Sequence, residues 1–105
     1  MNEIEPRELM RQLEAGTEWT IVDVREPHEL AVASLPDARH IPMAEIPARL
    51  DELPALGRVA VLCHSGGRSA RVTLFLESQG FANAANIVGG IDRWAVEVDT
   101  SLPRY

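Results

Sequence analysis

The chain contains one cysteine, Cys63, no lysine, and only five aromatic side chains of the Trp, Phe and Tyr types in 105 residues. A single cysteine cannot close an internal disulfide and excludes a cysteine-based structural zinc site. Three scattered histidines, His28, His40 and His64, lack metal-ligand spacing, so no metal is expected. Long apolar runs are also missing, and nothing approaches the ~20 residues that a helix needs to cross a bilayer. Met1-Asn2-Glu3-Ile4-Glu5 has neither the basic nor the apolar region of a secretory signal. The expected location is the cytoplasm, where a lone thiol stays reduced.

With no lysine, ten arginines stand against sixteen acidic residues, a net charge of -6. Such an acidic balance argues against nucleic-acid binding and against an anionic membrane surface, both of which need a basic face. The charge is unevenly spread. From Leu53 to Leu76 there is no Asp or Glu, while Arg58, Arg68 and Arg71 fall inside that window. A positive segment in an acidic molecule points to a site for a small anion.

The composition, 46% apolar and 25% charged, is that of an ordinary globular domain, and the length suits one domain over 1–105. Pro6 opens a helix that runs to Ala15, with Leu9, Met10 and Leu13 on its apolar stripe and Gly16 past its end. Thr20 to Val24 reads as a buried strand and Glu26-Pro27 as the start of a helical turn reaching about Ala33. Leu35 to Pro42 reads as an extended connection, and Glu45 to Leu53 as a short helix stopped by Pro54. Arg58 to Leu62 is the clearest strand, a continuous apolar run of the kind found in central parallel sheets. A loop follows, then a helix from Ala70 to Gln79 with Ser69 as its N-cap. Ala85 to Val88 is a further strand, Gly89-Gly90 a turn, and Ile91 to Val98 a last helix. Strands alternating with helices imply an α/β domain whose mostly parallel sheet is covered on both faces. Sites in such sheets lie beyond the carboxyl ends of the strands, where Cys63 and the Asp23, Arg25 pair both fall.

Cys63 admits two readings. It is a small buried hydrophobe at a strand end, with the glycines making a plain turn, or it is a reactive thiol. The stretch Cys63-His64-Ser65-Gly66-Gly67-Arg68-Ser69 favours the second, being longer than an ordinary strand-to-helix turn. An ordinary cysteine, with a pKa near ~8.5, is only about 3% thiolate at pH 7. A helix N-terminus, a glycine-permitted nest of backbone N–H groups and the charge of Arg68 all favour the anion here, and would also hold an incoming one. His64 is read as a surface residue of the loop, not a general base. Asp23 and Arg25 are read as an ion pair supporting the loop, with an exposed Arg25 as the alternative.

Four segments resemble the rhodanese family, in order and over essentially the whole chain: Asp23 to Leu30, Leu35 to Pro42, Cys63 to Ser69 against a Cys-x-x-Gly-x-Arg-Ser loop, and Val88-Gly89-Gly90 through Trp94. The family's Gly-His pair is replaced by Ala33-Ser34 and its next glycine by Asp37, a departure expected to adjust the backbone locally. The resemblance implies a rhodanese-like α/β fold: a five-stranded, mostly parallel sheet with helices on both faces. It implies sulfur transfer through a persulfide on Cys63, from thiosulfate or another small anionic donor to a nucleophilic acceptor, with no metal or organic cofactor. In it the backbone of His64, Ser65, Gly66, Gly67 and Ser69 holds the sulfur and Arg68 assists anion binding. The tail from Val98 to Tyr105 resembles rhodanese domains fused to adenylyltransferases that activate sulfur-carrier proteins, which implies a carrier or acceptor protein as partner. The alternative is a non-catalytic binding module, or a relay partner of such an activating enzyme. A cysteine phosphatase is disfavoured, because that pattern has five residues between Cys and Arg and this chain has four.

Overall fold

The computed structural model describes all residues from Met1 to Tyr105. Its elements, in chain order, are β1 (Asn2–Ile4), α1 (Pro6–Glu14), β2 (Thr20–Asp23), α2 (Pro27–Leu30), β3 (Arg39–His40), a 3₁₀ helix (Met43–Glu52), β4 (Val59–Leu62), α3 (Gly67–Ser78), β5 (Ala84–Ile87) and α4 (Gly90–Glu97). The five strands form one sheet in the order β1-β5-β4-β2-β3, and every pair is parallel. β4 lies at the centre, with Val61 opposite Val22 on one side and Asn86 on the other.

The period of two along each strand sorts the core into two layers. Val22, Val24, Val59, Val61 and Cys63 pack with Ile46 of the 3₁₀ helix and with Val72 and Leu76 of α3. Ile21, Ala60, Leu62, Ala85 and Ile87 pack with Leu9 of α1 and with Ile91 and Trp94 of α4. Residues of β4 are buried on both faces, which is why this strand reads as an unbroken apolar run. Each fully buried Leu, Ile or Val contributes roughly 1.5–3 kcal/mol relative to exposure, so the two layers hold the sheet from both sides.

Several local expectations are corrected. Asn2–Ile4, to which the sequence reading assigns no element, is a strand because it pairs with β5, although only Ile4 is buried. The extended connection contains the two-residue β3, paired to β2 through Val22–Arg39 and Asp23–His40. The segment after Pro42 is a 3₁₀ helix with Pro47 inside it and a break at Arg49. Ser69 is not an N-cap. Gly66, with φ +109°, takes that position, so α3 begins at Gly67 and Ser69 lies in its first turn. No helix is long and apolar enough to cross a membrane.

Candidate functional site at the end of the central strand

Cys63 follows β4 directly, at the carboxyl edge of the sheet, and is 1% exposed. The loop after it curls back so that the Gly66 N–H donates to Cys63 Sγ at 3.0 Å. That curl needs the left-handed backbone of Gly66, a conformation that side chains with a Cβ rarely adopt. The first intrahelical bond of α3 runs from Ala70 N–H to the Gly66 carbonyl, 3.1 Å. The amides of Gly67, Arg68 and Ser69 therefore precede the helical ladder and carry the positive end of its dipole.

The second glycine pair supports this loop from below. Gly90, with φ +61°, lets α4 approach so closely that an added Cβ would run into the carbonyl oxygens of Cys63 and His64. Those carbonyls accept from the first turn of α4, at 2.9 Å from Ile91 N–H and 3.0 Å from Asp92 N–H. Gly89-Gly90 is thus less a free turn than the contact between α4 and the cysteine loop.

Ser69 is fully buried, and its hydroxyl stands 3.2 Å from Cys63 Sγ while donating to Asn86 Oδ1 at 2.5 Å. Asn86 Nδ2 in turn donates to the Gly66 carbonyl at 3.3 Å. Cys63, Ser69, Asn86 and Gly66 close a ring of hydrogen bonds around the sulfur. Asn86 was not singled out from the sequence. A lone amide in the otherwise apolar Ala84–Ile87 strand was the available signal, since buried polar groups are kept only where they are paired.

Arg68 is engaged by a carboxylate. Its guanidinium makes a bidentate pair with Glu29 of α2, Nη1 to Oε2 at 2.6 Å and Nη2 to Oε1 at 2.8 Å. The Glu29 carboxylate also accepts from the Glu26 N–H and from the Tyr105 hydroxyl, so each of its oxygens has two donors. The bond from Arg68, opposed by burial and aided by the other donors, holds Glu29 at about 2. Glu29 in turn pushes Arg68 well above its ordinary value. The positive charge expected at the end of the loop is matched by a carboxylate.

Asp23 and Arg25 form a buried ion pair, 1% and 0% exposed, with Arg25 Nη2 donating to Asp23 Oδ2 at 2.7 Å. The exposed alternative for Arg25 is overturned. Its guanidinium also donates to the Ala33 carbonyl at 2.8 Å and to the Tyr105 hydroxyl oxygen at 2.7 Å. Burial pulls Arg25 down, but the bonds to Asp23 and Tyr105 outweigh it and leave the group above its ordinary value. Tyr105 joins this pair to the loop: it accepts from Arg25, donates to Glu29 at 3.0 Å, and stacks its ring on His64 with centroids 4.1 Å apart. His64 is consequently half-buried beneath the chain's last residue and not free on the surface. Ser65 and Gly67 are exposed.

The residues expected at the site therefore converge, and Glu29, Asn86 and Tyr105 join them. Comparison with known proteins bears on the family and the fold. The Rhodanese-like domain family matches residues 5–97. A protein from Allochromatium vinosum named "Sulfurtransferase" is 38% identical over 95 residues, 90% of this chain and 89% of that one. The "Adenylyltransferase and sulfurtransferase MOCS3" of Arabidopsis thaliana is 30% identical across 97% of this chain, which spans only 25% of that longer protein. The crystal structure of a rhodanese-like domain protein from Staphylococcus aureus superposes with a TM-score of 0.86 and 34% identity, covering 100% of this chain and 99% of that one. With the parallel sheet, the cysteine loop and the glycine-mediated docking of α4 all in place, the chain belongs to the rhodanese-like domain family.

Proposed function

We propose that this protein relays sulfane sulfur, taking it onto Cys63 as a persulfide and passing it to an acceptor. The observation that carries this reading is the Gly66 N–H aimed at Cys63 Sγ from 3.0 Å, at the start of α3. Backbone donors fixed in this way face the reacting sulfur and need no rearrangement as charge moves along the bound sulfur. In the first half-reaction the Cys63 thiolate attacks the outer sulfur of the donor. A new S–S bond forms, the donor's own bond to that sulfur breaks, and the leaving group departs with the electron pair. An acceptor nucleophile then attacks the terminal sulfur and returns Cys63 as thiolate. The amides of the loop from His64 to Ser69 hold the added sulfur, Ser69 contacts Sγ, and Asp23 and Arg25 brace the loop from the neighbouring strand.

The donor and acceptor are better read as protein-borne than as free thiosulfate. Arg68 is paired with Glu29, and Cys63 is 1% exposed. A small dianion does not find the Arg68 charge free, whereas a docking protein brings the sulfur to the loop. The likeness to a Bacillus subtilis protein named "Putative sulfur carrier protein YrkF", 33% identical over 88% of this chain and 50% of that one, supports a sulfur-carrier protein as acceptor, in the reducing cytoplasm. The burial of Cys63 supports a second reading, a binding module that performs no transfer.

Mass spectrometry separates the two. Protein incubated with thiosulfate, and separately with a persulfidated protein donor, should gain the mass of one sulfur, faster from the protein donor, and lose it to cyanide. Cys63→Ser should gain none while keeping the fold. If the wild-type protein takes up no sulfur from either donor, the relay reading is wrong and the binding module stands.

A further inference from the structure

The tail beyond α4 reverses direction at once. Ser101 donates to the Asp99 carboxylate from both its amide and its hydroxyl, and Leu102 N–H donates to the Asp99 carbonyl at 3.2 Å. The chain is thereby sent back along α4, where Arg104 pairs with Asp92 at 2.9 and 3.0 Å. Asp92 lies one residue past Ile91, whose amide holds the Cys63 carbonyl. This brings Tyr105 onto the cysteine loop. Its ring lies on His64, the residue next to Cys63, and its hydroxyl donates to Glu29 Oε1, the same oxygen that takes Arg68 Nη2. Tyr105 thus spans the loop from its first residue to the partner of Arg68.

Two further observations bear on what that span does. Cys63 is 1% exposed, so a reacting atom reaches Sγ only after something moves. Among the tail residues, Tyr105 lies against the loop while remaining 41% exposed. No helix or strand includes them, and the Arg104–Asp92 pair is exposed. Moreover, His64 Nε2 is buried with no hydrogen-bond partner. A buried polar atom without a partner destabilises the closed arrangement, and water satisfies it when the ring lifts.

We infer that Tyr105 determines access to Cys63, closing the loop between turnovers, and that a sulfur donor or acceptor has to displace it. The inference rests on the relay reading for what passes through, but the closure itself is a property of the tail. Opening breaks one ring stack, the contact of the Arg25 guanidinium with the ring at 5.8 Å, and two hydrogen bonds, from Arg25 and to Glu29, while the Arg68–Glu29 and Arg25–Asp23 pairs persist. Local opening of this kind is sampled in the native state, and a reagent that traps the open form reads its population.

The test is alkylation of Cys63 by iodoacetamide in the wild type, Tyr105→Phe and Tyr105→Ala, each shown to be folded by circular dichroism. Rates are compared on the high-pH plateau, where the thiol is fully ionised and only access differs. Each net hydrogen bond is worth about two- to tenfold in the opening equilibrium, so Tyr105→Ala is expected to react more than about tenfold faster, with Tyr105→Phe between. Equal plateau rates in all three proteins would overturn the inference. So would a change confined to the low-pH arm, which would make Tyr105 an electrostatic neighbour and not a barrier. Sulfur uptake by the wild-type protein decides the relay reading separately, so either can fail without the other.

Discussion

The Ser69 hydroxyl donates to Asn86 Oδ1 at 2.5 Å, and this spends the only proton Ser69 has. Asn86 spends its amide on the Gly66 carbonyl, and Gly66 presents its own N–H to the sulfur. The shape of the cysteine loop therefore depends on which end of the Asn86 side chain donates. Asn86→Ala leaves the Ser69 hydroxyl and the Gly66 carbonyl without this partner and should cost about 1–3 kcal/mol. Asn86→Asp should cost more at pH 7, because a carboxylate then faces the Gly66 carbonyl. The protonated acid can donate there, so in that variant the buried carboxyl has a raised folded pKa and stability recovers as pH falls. Urea unfolding of both variants from neutral to acid pH checks this. An Asn86→Asp protein no less stable than Asn86→Ala at neutral pH would refute the role of the donor.

The two glycine pairs look alike in sequence but are not equivalent. Gly67 is the first residue of α3, with no atom within 4 Å of an added Cβ. Gly67→Ala should stabilise the protein by about 0.4–1 kcal/mol, through the lower entropy of the unfolded chain and better helix propensity. Gly90 has positive φ and lies against the Cys63 and His64 carbonyls. Gly90→Ala should cost the ~1–2 kcal/mol of left-handed backbone and more for the clash, and should loosen the loop. Thermal unfolding distinguishes opposite signs, so equal effects at the two positions would refute the assignment.

Asp23 compensates an arginine that is 0% exposed. Asp23→Asn leaves that guanidinium buried without its counter-charge and should destabilise by about 3–5 kcal/mol. Chemical denaturation measures the loss. A change under about 1 kcal/mol would mean that the Ala33 carbonyl and the Tyr105 oxygen suffice to hold Arg25.

How much of this was legible follows from the range of each interaction. β2 and β4 could be read locally, because central parallel strands are apolar on both faces. β1 could not, since Asn2-Glu3-Ile4 is a strand only through its register with Ala85, Asn86 and Ile87. The cysteine loop was legible because its determinants, Gly66 and the start of α3, lie within four residues of Cys63. The partners of the loop were not, as Glu29 meets Arg68 across 39 positions, Asn86 meets Ser69 across 17, and Tyr105 meets Glu29 across 76. Reading Arg68 from its neighbours alone assigned it a free charge that Glu29 cancels. Ser69 shows the converse: its type suits an N-cap, but two glycines start the helix earlier and release its hydroxyl for Asn86 and Cys63.

Glu29 makes this network sensitive to acid. Its folded value of about 2 lies below the ordinary 4.5, the bond from Arg68 being the main cause. Between those values the unfolded chain binds more protons than the folded one, so stability falls as pH falls. The contribution is fully present above about 4.5 and is lost progressively towards about 2. It is on the order of 2–3 kcal/mol, allowing for the solvent that reaches the Arg68 side of the pair. Glu29→Gln removes the titrating group and leaves Arg68 without its counter-charge. The wild type should therefore exceed the variant in unfolding free energy at pH 7, and the gap should narrow steadily as the pH drops below about 4.5. Urea unfolding of the two proteins at matched pH reads that gap directly. Curves that stay parallel down to the acid limit would show that Glu29 contributes through packing and not through its charge, and that Arg68 is held by something other than this carboxylate.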